Sequence, residues 1–209
     1  MNHCGQENFD LAQKIMSHMG GRSFGAMHNF FNTEPDWVCP SCLRNKTEIA
    51  RLDKNDQILC RIVEHHDHFV DYVVNVLQGS DLPREVKWSV KYNFCRFPET
   101  LICDDCNVQE RRGKVAANAI DDFSFSPPEI GCFIKAMPNT APQVNCEIAC
   151  ELYDAIIPTQ RVLAKRVLRV AKGDLQTSAM QIGDLTSPII QRLAARSPFN
   201  QFEKDKEDA

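Results

Sequence analysis

Two pairs of cysteines have the spacing of metal ligands. Cys39 and Cys42 enclose Pro-Ser, and Cys103 and Cys106 enclose Asp-Asp, so each pair is a C-x2-C sequence. Thiolates at this spacing converge on one cation from a tight turn, and two such turns supply the four sulfurs of a tetrahedral zinc site. We therefore predict a structural Zn²⁺ ion bound by these four residues. The alternative is that one pair is coincidental or redox-active.

A dense group of histidines lies between the two cysteine pairs. Three of the six histidines of the chain fall in the string from Glu64 to His68, which reads Glu-His-His-Asp-His. One imidazole or carboxylate can bind a divalent ion while a neighbouring imidazole accepts a proton from water. The string is therefore a candidate catalytic site. The alternatives are a second structural zinc site or an exposed polar loop.

Asn107 directly follows the last cysteine of the second pair. Its amide oxygen is a hard, neutral ligand suited to Mg²⁺ or Mn²⁺. The residue opens a helix expected from about 107 to 120, so that a bound zinc would fix its position. The alternative role for Asn107 is that of a helix cap.

Taken together, these residues resemble the zinc-bearing HNH (ββα-metal) endonucleases, in particular the recombination endonuclease VII group. The resemblance covers residues 37–114: a C-x2-C pair, the His-His-Asp-His string, then Leu-Ile-Cys-x2-Cys-Asn with Gly113 and Lys114 following. It implies a small ββα-metal core with a zinc knuckle. It also implies that the four cysteines bind zinc and that a separate Mg²⁺ or Mn²⁺ ion takes part in cleavage.

The same resemblance implies a role for each polar residue of the site. His65 and Asn107 would bind the catalytic metal, and His66 would be the general base. Asp67 and His68 would be helpers of these groups. In an alternative register of the string, Asp67 is the metal ligand and His68 is the base.

Two groups of basic residues are candidates for phosphate contact. One group follows the proposed site, and the other recurs at helical spacing in a stretch, 161–172, that contains no acidic residue. For the second group, the alternative is an ordinary solvated helix face. The candidates are Arg111, Arg112 and Lys114 in the first group, and Arg161, Lys165 and Arg169 in the second.

The apolar pattern indicates the elements that position these residues. Residues 5–31 favour one or two helices broken at two consecutive glycines, and residues 57–66 favour a strand. Residues 144–172 favour two helices separated at Pro158. We expect an α+β fold in which a small nuclease core is flanked by largely helical segments. The expected parts are an N-terminal helical segment at 1–34, an HNH core at 35–120 with a helical insertion at 69–97, a C-terminal helical region at 121–197, and a flexible tail at 198–209.

Composition limits the classes of function. With 43% hydrophobic and 25% charged residues among 209, the chain can bury a sizeable core. Its net charge of -4 disfavours free, non-specific binding to nucleic acid, so we expect a partner to deliver or license the enzyme. HNH proteins of this size resemble the nuclease subunits of bacterial anti-phage (antiviral defence) systems, which implies an ATPase or other sensor protein as that partner.

Neither a signal sequence nor a membrane span is expected. The start, MNHCGQENFD, lacks an apolar stretch, and no run of about 18 apolar residues occurs. We therefore expect a cytoplasmic protein. Reducing conditions there favour metal ligation over disulfides for the paired cysteines.

Three functions are compatible with these observations. The first is a metal-dependent HNH endonuclease that hydrolyses DNA. The second is a non-catalytic zinc module that binds protein or nucleic acid, which predicts binding without cleavage. The third is an RNA-cleaving HNH toxin, which would stop translation rather than degrade DNA.

Overall fold

The computed structural model describes residues 3–26 and 28–173. This part of the chain has the expected α+β fold, with helices in the majority and the strands in small sheets. The expected flexible tail at 198–209 and the end of the C-terminal region from 174 onward lie outside the described residues. The helices are α1 (His3–Met19), α2 (His28–Asn32), α3 (Lys46–Ile49), α4 (His68–Gln78), α5 (Arg84–Phe94), α6 (Asp104–Ala116), α7 (Pro127–Phe133) and α8 (Cys146–Ala171). The strands are β1 (Ser23–Ala26), β2 (Arg51–Leu52), β3 (Gln57–Cys60), β4 (Ile62–His65), β5 (Thr100–Cys103), β6 (Ile134–Lys135) and β7 (Gln143–Val144).

Strands β4 and β5 form an antiparallel pair, although helices α4 and α5 separate them along the chain. The register places Ile62 opposite Cys103 and His65 opposite Thr100. Helix α6 follows β5 directly and contacts both strands. The three elements form a ββα unit, which carries one cysteine pair at one end of the strand pair and the start of the histidine string at the other.

The apolar stretch 57–66, expected as one strand, forms two strands in different sheets. Strand β3 lies between β1, to which it is parallel, and β2, to which it is antiparallel. The chain leaves this sheet at Arg61, whose carbonyl oxygen accepts the N–H of Asp104 at 2.9 Å. The single-strand prediction was wrong because this break depends on a helix start that is distant in sequence.

Helix α8 is continuous, whereas the sequence predicts two helices separated at Pro158. Pro158 lies on the exposed side of the helix, so its ring and the backbone hydrogen bond that it removes face water. An interior proline costs about 3 kcal/mol relative to alanine. Burial of a single leucine or isoleucine offsets about 1.5–3 kcal/mol, and α8 buries several such residues on both sides of the proline.

The apolar interior is divided into two cores. The larger core surrounds the four cysteines and includes residues such as Phe30, Phe133 and Ile157. The smaller core joins α4 and α5 to the second half of α8. These two helices, which lie between β4 and β5 along the chain, therefore pack in a core separate from the one around the cysteines. Its buried members are Phe69, Val73, Leu77, Val90, Leu163, Val167 and Val170.

Helix α1 ends at the two consecutive glycines, as the sequence predicts. Gly20 has a φ of +67°, and its N–H donates to the Met16 carbonyl oxygen at 3.0 Å, which is a helix C-terminal cap. The extended segment that follows is β1, a strand that the local sequence does not indicate. In the described part of the chain, no helix is both long and apolar enough to cross a bilayer.

Candidate metal centre and histidine site

The four cysteines predicted to bind zinc lie together in the larger core. All four are buried, and their sulfur atoms lie within 4.8 Å of one another. The distance between Cys39 Sγ and Cys106 Sγ is 3.9 Å, and that between Cys42 Sγ and Cys103 Sγ is 3.8 Å. A tetrahedral zinc with bonds of about 2.3 Å requires sulfurs about 3.8 Å apart. The cluster therefore has the geometry of a four-thiolate zinc site.

Backbone hydrogen bonds shape the turn that carries the first cysteine pair. The N–H of Leu43 donates to the Cys39 carbonyl oxygen at 2.8 Å, and the Cys39 N–H donates to the Arg44 carbonyl oxygen at 2.9 Å. Leu43 has a φ of 58°, which closes the turn. The second pair spans the junction of β5 and α6, where the Cys103 N–H donates to Cys39 Sγ at 3.3 Å. A bound metal would thus fasten the turn to the ββα unit.

Arg44 is a buried cation beside the cluster. Its Nε lies 3.3 Å from Cys42 Sγ, and one terminal nitrogen lies 3.7 Å from Cys103 Sγ. The same nitrogen is 3.5 Å from Asp105, whose carboxylate also binds Arg51 at 2.8 Å. Hydrogen bonds from neighbouring thiols, first that of Cys103, together with the Arg44 charge, hold the pKa of Cys42 far below its ordinary value. Arg44 therefore favours the thiolate of Cys42 in particular, whereas hydrogen bonds with neighbouring thiols, first that of Cys103, raise the pKa of Cys106 above its ordinary value.

His65, the expected metal ligand at the end of β4, is buried. Its Nε2 lies 2.7 Å from the Phe125 carbonyl oxygen, and its ring stacks on Phe97 with centroids 5.2 Å apart. Burial lowers the pKa of His65 below its ordinary value. The ring is therefore neutral at pH 7. Because a carbonyl oxygen only accepts hydrogen bonds, Nε2 carries the proton and Nδ1 is the nitrogen with a lone pair.

His66, the expected general base, is exposed beside the first turn of α4. Its side chain is 48% accessible, and its Nε2 lies 3.0 Å from a carboxylate oxygen of Asp71. Its ring centroid is 5.0 Å from that of His68. An aspartate at this position fixes the orientation of the imidazole, as an acid does for a histidine base.

The other two members of the string are held by the surrounding structure. Asp67 is buried at the N-terminus of α4, where its carboxylate accepts the N–H groups of Phe69 at 3.1 Å and Arg96 at 2.8 Å. His68 is half-buried, with Nδ1 at 3.3 Å from the Asp121 carbonyl oxygen. Burial, followed by the charge of Lys114, lowers the pKa of His68.

Asn107 lies in the first turn of α6, one helical turn before Glu110. Among the described residues its side-chain amide has no hydrogen-bond partner. Glu110 Oε1 accepts the N–H of Phe125 at 3.2 Å, and the carbonyl oxygen of Phe125 binds His65. Glu110 is therefore linked to His65 through the Phe125 backbone, whereas Asn107 directly follows Cys106. Burial raises the pKa of Glu110.

Glu110 is a site residue that the sequence analysis missed. It lies four residues before Lys114, and helical spacing from Asn107 through Glu110 to Lys114 could have indicated it. The structure brings the Lys114 amine to 3.5 Å from Glu110 and 3.5 Å from His68 Nδ1. Within the described residues, the four cysteines form a group of His, Cys, Asp or Glu side chains whose donor atoms lie close enough together to hold an ion. The histidine string and Glu110 do not form such a group.

The basic candidates for phosphate contact differ in accessibility. Lys114 is directed inward, where its amine donates to the Phe123 carbonyl oxygen at 3.1 Å. The others are exposed on the outer faces of α6 and α8: Arg111, Arg112, Arg161, Lys165 and Arg169.

Comparison of the chain with protein-family models, with curated proteins and with solved structures gives no significant match. The case for a function therefore depends on the site itself.

Proposed function

We propose that the protein is a metal-dependent HNH endonuclease that hydrolyses the phosphodiester bonds of DNA. The observation that carries this proposal is the ββα unit of β4, β5 and α6. The four-cysteine cluster closes one end of this unit, and the histidine string lies at the other end with His66 exposed. A zinc there would serve the structure, so that the chemistry falls to the histidines and to α6.

In this proposal His66 is the general base. Its Nε2–H donates to the Asp71 carboxylate, which leaves Nδ1 to take a proton from water. The hydroxide that forms attacks phosphorus in line, the bond from phosphorus to the 3′ oxygen breaks, and the departing oxygen takes up a proton from water. Asp71 supports the reaction because a carboxylate stabilises the imidazolium that forms on His66.

The donors proposed for a Mg²⁺ or Mn²⁺ ion are His65 Nδ1 and the Asn107 amide oxygen. Both atoms are available as ligands. The Phe125 carbonyl fixes the His65 tautomer so that Nδ1 has the lone pair, and the Asn107 amide has no partner among the described residues. When bound, such an ion would neutralise charge that develops on the phosphate. Glu110 and Lys114 position this end of the site through Phe125 and His68.

The proposal includes DNA contact by the exposed arginines of α6, Arg111 and Arg112, which follow the site along the helix. The net charge of -4 makes these contacts local rather than general. It supports the further proposal that an ATPase or sensor protein presents the substrate, as in the anti-phage systems that the sequence resembles.

A second candidate function is a non-catalytic zinc module. It is favoured by the inward-directed roles of His65 and Asp67, whose polar atoms bind backbone groups. This candidate predicts a folded, zinc-loaded protein that binds a partner and cleaves nothing.

The test is cleavage of supercoiled plasmid by zinc-loaded protein with added Mg²⁺ or Mn²⁺, and then with EDTA. We expect nicking that needs the added ion, is lost in His66→Ala and persists in His18→Ala, which removes an exposed histidine of α1. Equal activity of His66→Ala and wild type would refute the assignment of the base. A parallel assay with structured RNA separates a DNA nuclease from an RNA-cleaving toxin. Absence of cleavage of both substrates would point to a missing partner protein or to the zinc module, and a pull-down would separate these two outcomes.

A further inference from the structure

An open groove of about 230 Å³ lies between helices α4 and α5. Its walls are mainly apolar, and the charged side chains that line it within the described part of the chain are both lysines. The lining residues are Val74, Leu77 and Gln78 from α4, and Lys87, Trp88 and Lys91 from α5. Because the whole chain carries a net charge of -4, this groove is a local basic surface, and it favours an anionic partner.

Two exposed aromatic residues lie beside the groove on α5. Trp88 is 48% exposed, and Tyr92, one helical turn later, is 66% exposed. Their rings are stacked, with centroids 5.6 Å apart and an interplanar angle of 27°. The Lys91 amine lies 5.7 Å from the centroid of the Trp88 ring. Large apolar side chains that are exposed together, unlike single ones, indicate a binding surface.

The combination of rings and lysines favours single-stranded nucleic acid over a protein as the partner. Lysine is depleted at protein–protein interfaces. Proteins that bind single strands place cations along the phosphates and stack the bases on aromatic side chains. The Lys87 amine donates to the Ser80 carbonyl oxygen at 2.8 Å and has two further N–H groups for a phosphate. The bases of a duplex are stacked inside the double helix, so they are not available to the rings of Trp88 and Tyr92.

The groove continues the face of α4 that supports the histidine site. Asp71, whose carboxylate contacts His66, is followed by Val74 and Gln78 at i+3 and i+7, so these three residues lie on one face of the helix. Val74 and Gln78 lie about 5–10 Å beyond Asp71 along the helix axis. A strand with one phosphate at His66 can therefore reach the groove with its neighbouring nucleotides.

We propose that this groove and the rings of Trp88 and Tyr92 bind an unpaired DNA strand next to the scissile phosphate. Bases stack on the two rings, and the Lys87 and Lys91 amines contact the phosphates between them. The inference rests on the proposed nuclease function, because it assigns the strand to the substrate of the histidine site.

The test measures binding without cleavage. Fluorescence anisotropy compares labelled oligothymidine with a labelled duplex of the same length, with zinc-loaded protein and no added Mg²⁺ or Mn²⁺. We expect Trp88→Ala to bind oligothymidine at least about fivefold more weakly than wild type, as the loss of one stacked base implies, and to bind the duplex as wild type does. Phe9→Ala is the matched control, because Phe9 is also 48% exposed but lies on α1. No binding of oligothymidine by wild type, or a decrease in Trp88→Ala that is equal for the single strand and the duplex, would overturn the proposal.

Two further variants guard against a folding defect in Trp88→Ala. Tyr92→Ala removes a mostly exposed side chain and should also weaken binding of oligothymidine but not of the duplex. Lys91→Gln should reduce the slope of log Kd against log salt concentration by about 0.7, the value for one phosphate contact on a single strand. Lys14→Gln, at an exposed position of α1, should keep the slope of wild type. Oligothymidine affinity and salt dependence unchanged in both Tyr92→Ala and Lys91→Gln would overturn the proposal.

Failure of the nuclease proposal is a separate result. Binding of oligothymidine that depends on Trp88, in a protein that does not cleave plasmid, keeps the single-strand site and refutes the catalysis. Plasmid cleavage by a protein whose Trp88→Ala variant binds oligothymidine as wild type does keeps the catalysis and refutes the single-strand site.

Discussion

Replacement of Arg44 by methionine should weaken the four-cysteine zinc site. The change keeps most of the side-chain length but removes the cation that lies 3.3 Å from Cys42 Sγ and 3.7 Å from Cys103 Sγ. A zinc bound by four thiolates would carry two net negative charges, and the buried Arg44 places one positive charge beside two of the sulfurs. The substitution also removes the donor that reaches the Thr140 carbonyl oxygen at 2.8 Å.

The size of the effect follows from these contacts. Loss of a hydrogen-bonding partner of metal ligands weakens metal binding by about 10- to 100-fold, which equals about 1.4–2.8 kcal/mol. The unpaired carbonyl oxygen adds about 1–3 kcal/mol to the loss of folding stability. Arg44→Lys keeps the charge but cannot contact both sulfurs and the carbonyl at once, so it should fall between wild type and Arg44→Met.

The assay is equilibrium competition for zinc between the protein and a chromogenic chelator. Arg22→Met is the matched control, because Arg22 is also paired with an aspartate but its side chain is 81% exposed. We expect the control to retain the zinc affinity of wild type. An Arg44→Met protein that is folded and binds zinc within about twofold of wild type would refute the argument that this cation stabilises the thiolates.

Two further predictions concern stability. Lys46→Met should lower the free energy of unfolding, measured by urea denaturation, by about 2–5 kcal/mol. The reason is that the buried Lys46 amine donates to Asn8, Phe30 and Thr33 at 2.7–3.0 Å. A loss below about 0.5 kcal/mol would contradict this prediction. His65→Gln should flatten the pH dependence of stability. Burial lowers the pKa of His65 in the folded state, so the unfolded state binds more protons as the pH falls. The contribution of His65 to folding stability is therefore fully present above pH 6.5 and decreases below it. The urea midpoint of wild type should therefore fall more than that of His65→Gln between about pH 7 and pH 5.5, and parallel decreases would refute the role of His65.

Features that depend on local sequence could be predicted. The spacing within each cysteine pair led to the four-sulfur cluster because a two-residue gap restricts where a second thiolate can point. The start of α7 at Pro127 also follows from local chemistry, since proline is favoured in the first turn and Ser126 and Glu129 form a capping box.

Features that depend on distant contacts could not be predicted. The Phe125 backbone joins His65 to Glu110, although these three residues come from separate elements. The inward direction of Asp67 depends on the backbone N–H of Arg96, 29 residues away. Hydrophobic periodicity identifies a buried face but not the polar group that meets it, so the contacts of the histidine string could not be predicted from the sequence.

Because the two cysteine pairs are far apart along the chain, a bound zinc would act as a long-range cross-link. Cys42 and Cys103 are 61 residues apart, and the metal would close the loop that contains α4 and α5. Cross-linking a loop of this length removes conformational entropy from the unfolded chain worth about 4 kcal/mol, as it would for a disulfide. Because this cost of closure grows only with the logarithm of length, doubling the loop adds about 0.6 kcal/mol. The junction between α4 and α5 is consequently a place where added sequence, even a whole domain, could be accepted without loss of the metal centre.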